Sequence, residues 1–389
     1  MNLAAAFGSL VGVGAATLVS MRLGQRDYGT AQNILGNVVV LNLIIGLAFG
    51  ITTLLLLDPI LYFFGASEAT IGYARDYMSI ILMGNVITHM YLGLNSVLRA
   101  SGHPRKSMYA TIYTVVINAA LDPLFIYGFG WGIRGAAIAT VLAQVIALIW
   151  QFHILSDKSE LLHFRRGIYR LRRKIVRDIL AIGMSPFLMN VCASAIVIIF
   201  NKSLLLYGGD LAIGAYGILN RLLMLFVMVI MGLTMGMQPI VGYNHGAHKF
   251  SRVKQTLKYC MIAGGCITSL GFVFSELFPN LVVNMFTDDK ELTALARTGL
   301  QIGVLMFPFV GIQIVISSFF QSIGKAKISI FLSLSRQLLY LLPCLLLLPH
   351  WWGLNGIWLS MPVSDLLAFI TACLMLAHHI KKLNKITEV

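Results

Sequence analysis

Long apolar runs separated by short polar breaks dominate the chain, and their length is the first clue to its structure. "VVVLNLIIGLAFGITTLLLL" (38–57) holds twenty residues with almost no polar interruption. As a helix it would rise about 30 Å, the thickness of a bilayer hydrocarbon core. Eleven such spans are expected, at about 3–21, 34–57, 77–99, 108–128, 133–155, 179–206, 212–240, 256–282, 294–320, 327–348 and 353–377. A transmembrane β-barrel would instead show alternating segments of ~10 residues, and these runs do not alternate. The expected class is an all-α polytopic membrane protein. Composition agrees: 58% of the residues are hydrophobic and 11% charged, against about 25% charged in soluble domains.

Charge then orients the spans. Arg22, Arg26, Arg99, Arg105, Lys106, eight residues between Lys158 and Arg177, Lys249, Arg252, Lys254, Lys258, Lys325, Lys327, Lys381, Lys382 and Lys385 lie in alternate loops and the C-terminal tail. They make up 22 of the 29 basic residues. The positive-inside rule places these loops and the C-terminus in the cytoplasm. The net charge of +14 therefore reports topology and gives no reason to expect nucleic acid as a partner. The basic stretch "RRGIYRLRRKIVR" (165–177) is read as a solvated linker helix between two halves, with lipid headgroups as a second option.

The chain also repeats itself. A shift of 222 residues lays "TLVSMRLGQRDYGTA" (17–31) on "PIVGYNHGAHKFSRV" (239–253), and "LRASGHPRKS" (98–107) on "FQSIGKAKIS" (320–329). After a one-residue slip "WGIRGAAIA" (131–139) falls on "WGLNGIWLS" (352–360). The offset covers six spans, an even number, so the halves are expected to be parallel repeats about an axis along the membrane normal. The expected division is an N-terminal lobe at 1–156, a basic linker at 157–178 and a C-terminal lobe at 179–389. The span at 179–206 finds no partner upstream, so the N-terminal lobe is expected to lack the first helix of a twelve-helix plan, through its start or as a natural short form.

Several chemistries fall away. "GWGIRG" (130–135) has dinucleotide-fingerprint spacing but lies in a short outer loop, without the strand and helix that motif requires. The Gly-x-x-x-Gly at 232–236 reads as a helix-packing face, and Trp131, Trp351 and Trp352 as interfacial anchors. Cys192, Cys260, Cys266, Cys344 and Cys373 form neither a disulfide framework nor a metal site. No Ser–His–Asp set or paired carboxylates share a face, so no enzyme, metal or cofactor is expected. His89 lies within a span as a possible proton carrier, whereas His245, His248, His378 and His379 belong to loops and tail.

Ionisable residues in or near spans are functional candidates, because charge in hydrocarbon costs several kcal/mol. They are Asp122, Arg221, Glu276, Arg336 and Asp365, with Lys202 near an outer end. Asp122 has the richest surroundings. Asn118 lies one helical turn before it on the same face, and Pro123 frees a backbone carbonyl one turn back. Asn95 and Thr140 are polar residues at membrane depth on the flanking helices. Together these are hard oxygen ligands suited to H⁺ or Na⁺. Asp365 can pair with Arg336, and Arg221 can serve an ion pair or a cleft. At the 222 offset Asn95, Asn118, Asp122 and Thr140 meet Ser317, Tyr340, Cys344 and Pro362. The second half thus lacks the acid and its amides.

"GVGAATLVSMRLGQRDYGTA" (12–31), "VLRASGHPRKSM" (97–108) and "MQPIVGYNHGAHKFSRV" (237–253) resemble the multidrug and toxic compound extrusion (MATE) family, over essentially the whole chain. The resemblance implies two lobes and cation-coupled export of bulky, often cationic organic compounds across the cytoplasmic membrane by alternating access. Membrane lipids would surround a protein that is expected to be a monomer. In the DinF-like branch an Asn on the fourth helix, Asn-x-x-x-Asp on the fifth and a Thr on the sixth fall on Asn95, Asn118, Asp122 and Thr140. That branch's other N-lobe acid lies on the helix this chain is expected to lack, and the C-lobe acid pair of the NorM-like branch is not evident. A lipid-linked oligosaccharide flippase of the same superfamily and a transporter-derived binding protein without flux remain the alternatives.

Overall fold

A computed structural model describes residues 2–387, and the described backbone is helical with no strand. Six helices, the third of them short, open the chain: α1 (Asn2–Gly24), α2 (Tyr28–Leu55), α3 (Leu57–Phe63), α4 (Ile71–Met83), α5 (Asn85–Ala100) and α6 (Pro104–Pro123). A π-helical segment, Leu124–Gly128, extends α6, and α7 (Gly132–Ser156) follows. Then come α8 (Arg173–Gly246), α9 (Phe250–Leu277), α10 (Pro279–Asn284), α11 (Lys290–Gly303), α12 (Phe307–Ser322) and α13 (Ala326–Leu334). A second π-helical segment, Ser335–Leu341, leads into α14 (Leu342–Thr387).

Seven helices are long and apolar enough to span a membrane, and two more spans are bent pairs. A continuous α8 of 74 residues would extend ~110 Å, far beyond a ~30 Å core. It breaks at Gly209, where φ is 66° and ψ −165°. Similarly, α14 breaks at Gly353, with φ 52° and ψ −132°. These left-handed backbone angles suit glycine because it has no Cβ to clash. Divided at both breaks, the described residues supply eleven spans.

Two of the expected spans are not straight. The run at 77–99 divides into α4 and α5, bent by 53°, and that at 294–320 into α11 and α12, bent by 54°. The hinges are Gly84 and the segment before Phe307–Pro308. Hydropathy alone counted apolar length and had no means of registering the bend.

Clustering of the backbone divides the chain into two compact units, Met1–Phe187 and Leu188–Val389. Inside each, the 222-residue repeat reappears in backbone detail. Among the described residues the non-glycine positions with positive φ are Arg26 (60°) and His248 (57°), one offset apart. Gly102 (96°) and Gly324 (73°) match likewise. Gly132 (53°) matches Gly353 (52°) at 221. That last match moves the repeat partner of Thr140 from Pro362 to Met361.

The N-terminal unit is closed by small residues. A Cβ on Gly14 would run into the Ile179 carbonyl, and one on Gly183 into that of Leu10. Glycine there lets α1 and the start of α8 approach backbone to backbone, a recurrent membrane packing mode. The C-terminal unit builds one core around Phe200, Leu345, Ile357 and Trp358. A second core gathers Ile230, Val315, Phe319 and Phe320.

The basic linker departs from its expected form. Residues 157–172 are turns and irregular backbone, and helix resumes at Arg173. Buried Gln32 bonds the backbone of His163. Asn37 donates to the Arg170 carbonyl at 3.2 Å and accepts from the Arg172 N–H at 2.9 Å. Glu160 pairs with His103 at 2.5 Å and with Lys106. Irregular backbone must satisfy its polar groups somewhere, and the amides of α2 supply partners that a regular helix would not have needed.

Candidate functional site

Asp122 sits in the last turn of α6, immediately before Pro123 and the π-helical segment. Proline gives no N–H to the carbonyl four residues back, and π-helical segments recur at functional sites. Asn118 Nδ2 donates to Asp122 Oδ1 at 3.2 Å and lies 3.4 Å from Thr140 Oγ1 on α7. Thr140 returns its own hydroxyl proton to the Ala136 carbonyl at 3.0 Å. Tyr77 of α4 lies beside this group, in the field of the Asp122 carboxylate. Asp122, Asn118, Thr140 and Tyr77 are all half-buried. Among the described residues no basic side chain pairs with Asp122.

One acid among neutral oxygen ligands suits a monovalent cation or a proton. A divalent metal site would gather more charge, and no group of three or more metal-ligating His, Cys, Asp or Glu occurs among the described residues. The five cysteines are unpaired.

Asn95 belongs to a different cluster. It is buried, donates to Thr111 Oγ1 at 3.1 Å and accepts from the Ser107 hydroxyl. The repeat copies this arrangement. Ser317 bonds Ser333 at 3.0 Å, and Ser329 donates to the Ser317 carbonyl at 3.2 Å. Each of these three positions is its N-terminal counterpart plus 222. The structure therefore brings Asn118, Asp122 and Thr140 together, and places Asn95 in a polar tie shared by both units.

In the C-terminal unit Arg336 Nε donates to Asp365 Oδ1 at 2.8 Å. Asp365 is 6% exposed and Arg336 34%. Tyr340 and Thr371 share a 2.7 Å hydroxyl bond nearby. Arg221 is exposed and has no ion pair among the described residues. Glu276 is reached by Gln301 Nε2 at 3.5 Å. His89 is fully buried beside Phe49, and among the described residues neither ring nitrogen meets a hydrogen-bond partner.

Tyr77 escaped the sequence reading. A tyrosine in an apolar run reads as packing, and nothing local announces that the bend at Gly84 turns α4 toward α7. The Thr88–Gln144 bond, 2.5 Å, was invisible for the same reason: its partners are 56 residues apart.

The helical architecture with a carboxylate site inside a two-fold internal repeat defines a polytopic membrane transporter. The MatE family model matches residues 1–124 and 186–346. The chain belongs to the MATE family, whose members are transporters and not enzymes. The multidrug export protein MepA of Staphylococcus haemolyticus is 28% identical over 372 residues, covering 96% of this chain and 80% of that relative. A solved structure of MATE in the bent conformation matches with a TM-score of 0.94 at 24% identity, covering 100% of this chain and 86% of that one. The structure of the MATE multidrug transporter DinF-BH matches at 0.89 with 33% identity, covering 97% and 85%.

Proposed function

We propose that this chain exports organic compounds across the cytoplasmic membrane in exchange for H⁺ or Na⁺ by alternating access, and that Asp122 carries the coupling ion. The observation behind this reading is a carboxylate at membrane depth with neutral oxygen neighbours and no basic partner among the described residues. A charge left unpaired in such a place is costly. Binding a proton or Na⁺ removes that cost, and losing the ion restores it. Asn118, itself bonded to Thr140, holds the carboxylate in position, and turning the Asn118 amide over presents an oxygen to a cation. The Ala119 carbonyl, deprived of its helical donor by Pro123, adds another acceptor. Tyr77 gives the carboxylate a nearby hydroxyl that can accept or donate as the charge changes. The likeness to DinF-BH at 33% identity supports placing the chain in the DinF-like branch. The relatives named for multidrug export support drug-like organic substrates.

In the proposed cycle, ion and substrate favour different states, so ion entry helps substrate leave. A ligand shifts a conformational equilibrium only by its differential affinity for the two states. Asp122→Asn removes the charge while keeping the shape. Ethidium export from proteoliposomes driven by a pH or Na⁺ gradient should then fall to background in protein that still purifies as a folded species. Undiminished gradient-driven export by that variant would refute Asp122 as the coupling site. A lipid flippase would call for several cationic side chains facing its substrate. Among the described residues within the spans only Arg221 and Arg336 are candidates, and Arg336 has Asp365 as its ion-pair partner.

A further inference from the structure

In the N-terminal unit the basic residues at the turn between α5 and α6 meet an acid. His103 and Lys106 both pair with Glu160, which the irregular chain beyond α7 supplies. One repeat later the position of His103 is Lys325, in the matching turn between α12 and α13. At the offsets of 221 and 222 Glu160 itself meets Lys381 and Lys382. These lie on α14, which continues as helix where the N-terminal chain leaves its own. The acid of one unit is thus replaced by bases in the other.

Three segments of the C-terminal unit bring those bases together. The Lys325 N–H donates to the Phe320 carbonyl at 2.9 Å, and the Phe320 ring packs on His379 of α14 with centres 5.4 Å apart. His379 lies in the fields of Lys325, His245 and Lys382, and His245, at the end of α8, in those of His248 and Lys325. No acid pairs with any of these five among the described residues. His379 is 7% exposed and its Nε2 finds no partner there, nor do His245 Nδ1 and Gln321 Nε2, the last one turn before Lys325. His248 and Lys382 are exposed and Lys325 is half-buried, so the cluster is open to an approaching ligand. Buried N–H groups without acceptors and cations without a counter-charge both call for an anion.

We propose that this end of the C-terminal unit binds the phosphate of an anionic lipid headgroup, with Lys325 and Lys382 as charge partners and Gln321 and the imidazoles of His245 and His379 as N–H donors. The phosphate takes the place that Glu160 fills in the N-terminal unit. A lysine ammonium serves phosphate as a point charge, and hydrogen bonds to an ionised oxygen are the strong ones. Anionic leaflets draw in basic groups that flank a span, and α14 leaves its apolar stretch at this level. A bound headgroup ties the end of α8, the turn after α12 and the tail of α14 to one another. The site concerns neither the exported compound nor Asp122, so it stands apart from the exporter reading.

The test measures equilibrium binding of dioctanoyl phosphatidylglycerol, dioctanoyl phosphatidylcholine and inorganic phosphate to purified full-length protein in a neutral detergent at fixed ionic strength. Wild type should bind phosphatidylglycerol at least about tenfold more tightly than phosphatidylcholine, as expected of a site selected by charge. Lys325→Gln with Lys382→Gln should abolish that preference. Lys382→Glu, an exposed change that gives the cluster an acid of its own, should abolish it as well and keeps the test open if the double variant fails to fold. Arg165→Gln with Arg166→Gln, two exposed bases of the N-terminal unit, should leave it intact. A wild type without the preference overturns the proposal, and so does a preference that persists in folded Lys382→Glu. An equal loss in the Arg165 and Arg166 variant overturns it too, by showing diffuse surface charge. Inorganic phosphate bound as tightly as phosphatidylglycerol overturns the lipid as the source and makes the ligand a soluble phosphate.

Discussion

In the N-terminal unit the polar centre between α6 and α7 is a carboxylate among neutral groups. In the C-terminal unit the helices one repeat later carry the Arg336–Asp365 ion pair. At the offsets of 222 and 221 the positions of Arg336 and Asp365 are Thr114 and Gln144, and that of Asp122 is Cys344. The backbone is nonetheless shared down to single dihedral angles, with Arg26 at 60° and His248 at 57°, and to bends of 53° and 54°. Duplication preserved the features that turn and bend the chain while the charged groups diverged. Geometry repeats because turns and hinges tolerate few residues. Charge at membrane depth is free to differ, because each unit needs only to satisfy its own.

The sharpest way to break this comparison is to remove the acid from each unit. Asp365→Leu strands Arg336 without its partner. It should destabilise the protein by about 2–4 kcal/mol, below the full range for a buried pair because Arg336 is one-third exposed. Asp122→Asn removes a charge that has no partner and should leave the melting temperature unchanged or raised. Thermal unfolding in detergent reads both. Equal losses would mean that Asp122 has a structural counter-charge after all. The double change Arg336→Met with Asp365→Leu should recover most of the loss of the single one, since replacing both members with apolar groups is often neutral.

A smaller effect tests what the units share. Ser107→Ala and Ser329→Ala each remove one hydroxyl from the repeated tie. Each should cost roughly 1 kcal/mol, with neither abolishing ion-driven export. Loss of export in Ser107→Ala alone would return Asn95 to the ion site.

The smallest effect lies at the turn before α2 and at its repeat counterpart before α9. Asp27 caps α2 by accepting from the Thr30 N–H at 3.0 Å, whereas its counterpart Lys249 makes no side-chain cap. Asp27→Ala should cost about 1 kcal/mol, and Lys249→Asp should stabilise by a similar or smaller amount. The Thr30 side-chain and backbone hydrogen bonds hold the Asp27 carboxyl below its usual range. Its folded pKa is therefore the lower one. Its contribution is fully present above the unfolded value of about 3.9 and fades as pH falls through the folded one. Between pH 6 and 8 the capping difference between wild type and Asp27→Ala should be flat, and it should shrink only below about pH 4.

Much of this protein was legible in one dimension. Span length against bilayer thickness determined the helical class, and the 222-residue offset determined the internal duplication. The chemistry of Asn118, Asp122, Pro123 and Thr140 was readable because three of them lie within one helical turn or so and helix geometry fixes which of them share a face. Tertiary structure alone decided the rest. It bent two spans, turned a supposed linker helix into docked irregular backbone, brought Tyr77 into the field of Asp122 and took Asn95 away to Ser107 and Thr111. The physical reason is common to all of these. Burial and periodicity follow from local sequence, whereas the direction of a bend and the partner of a polar group depend on which distant helix packs alongside.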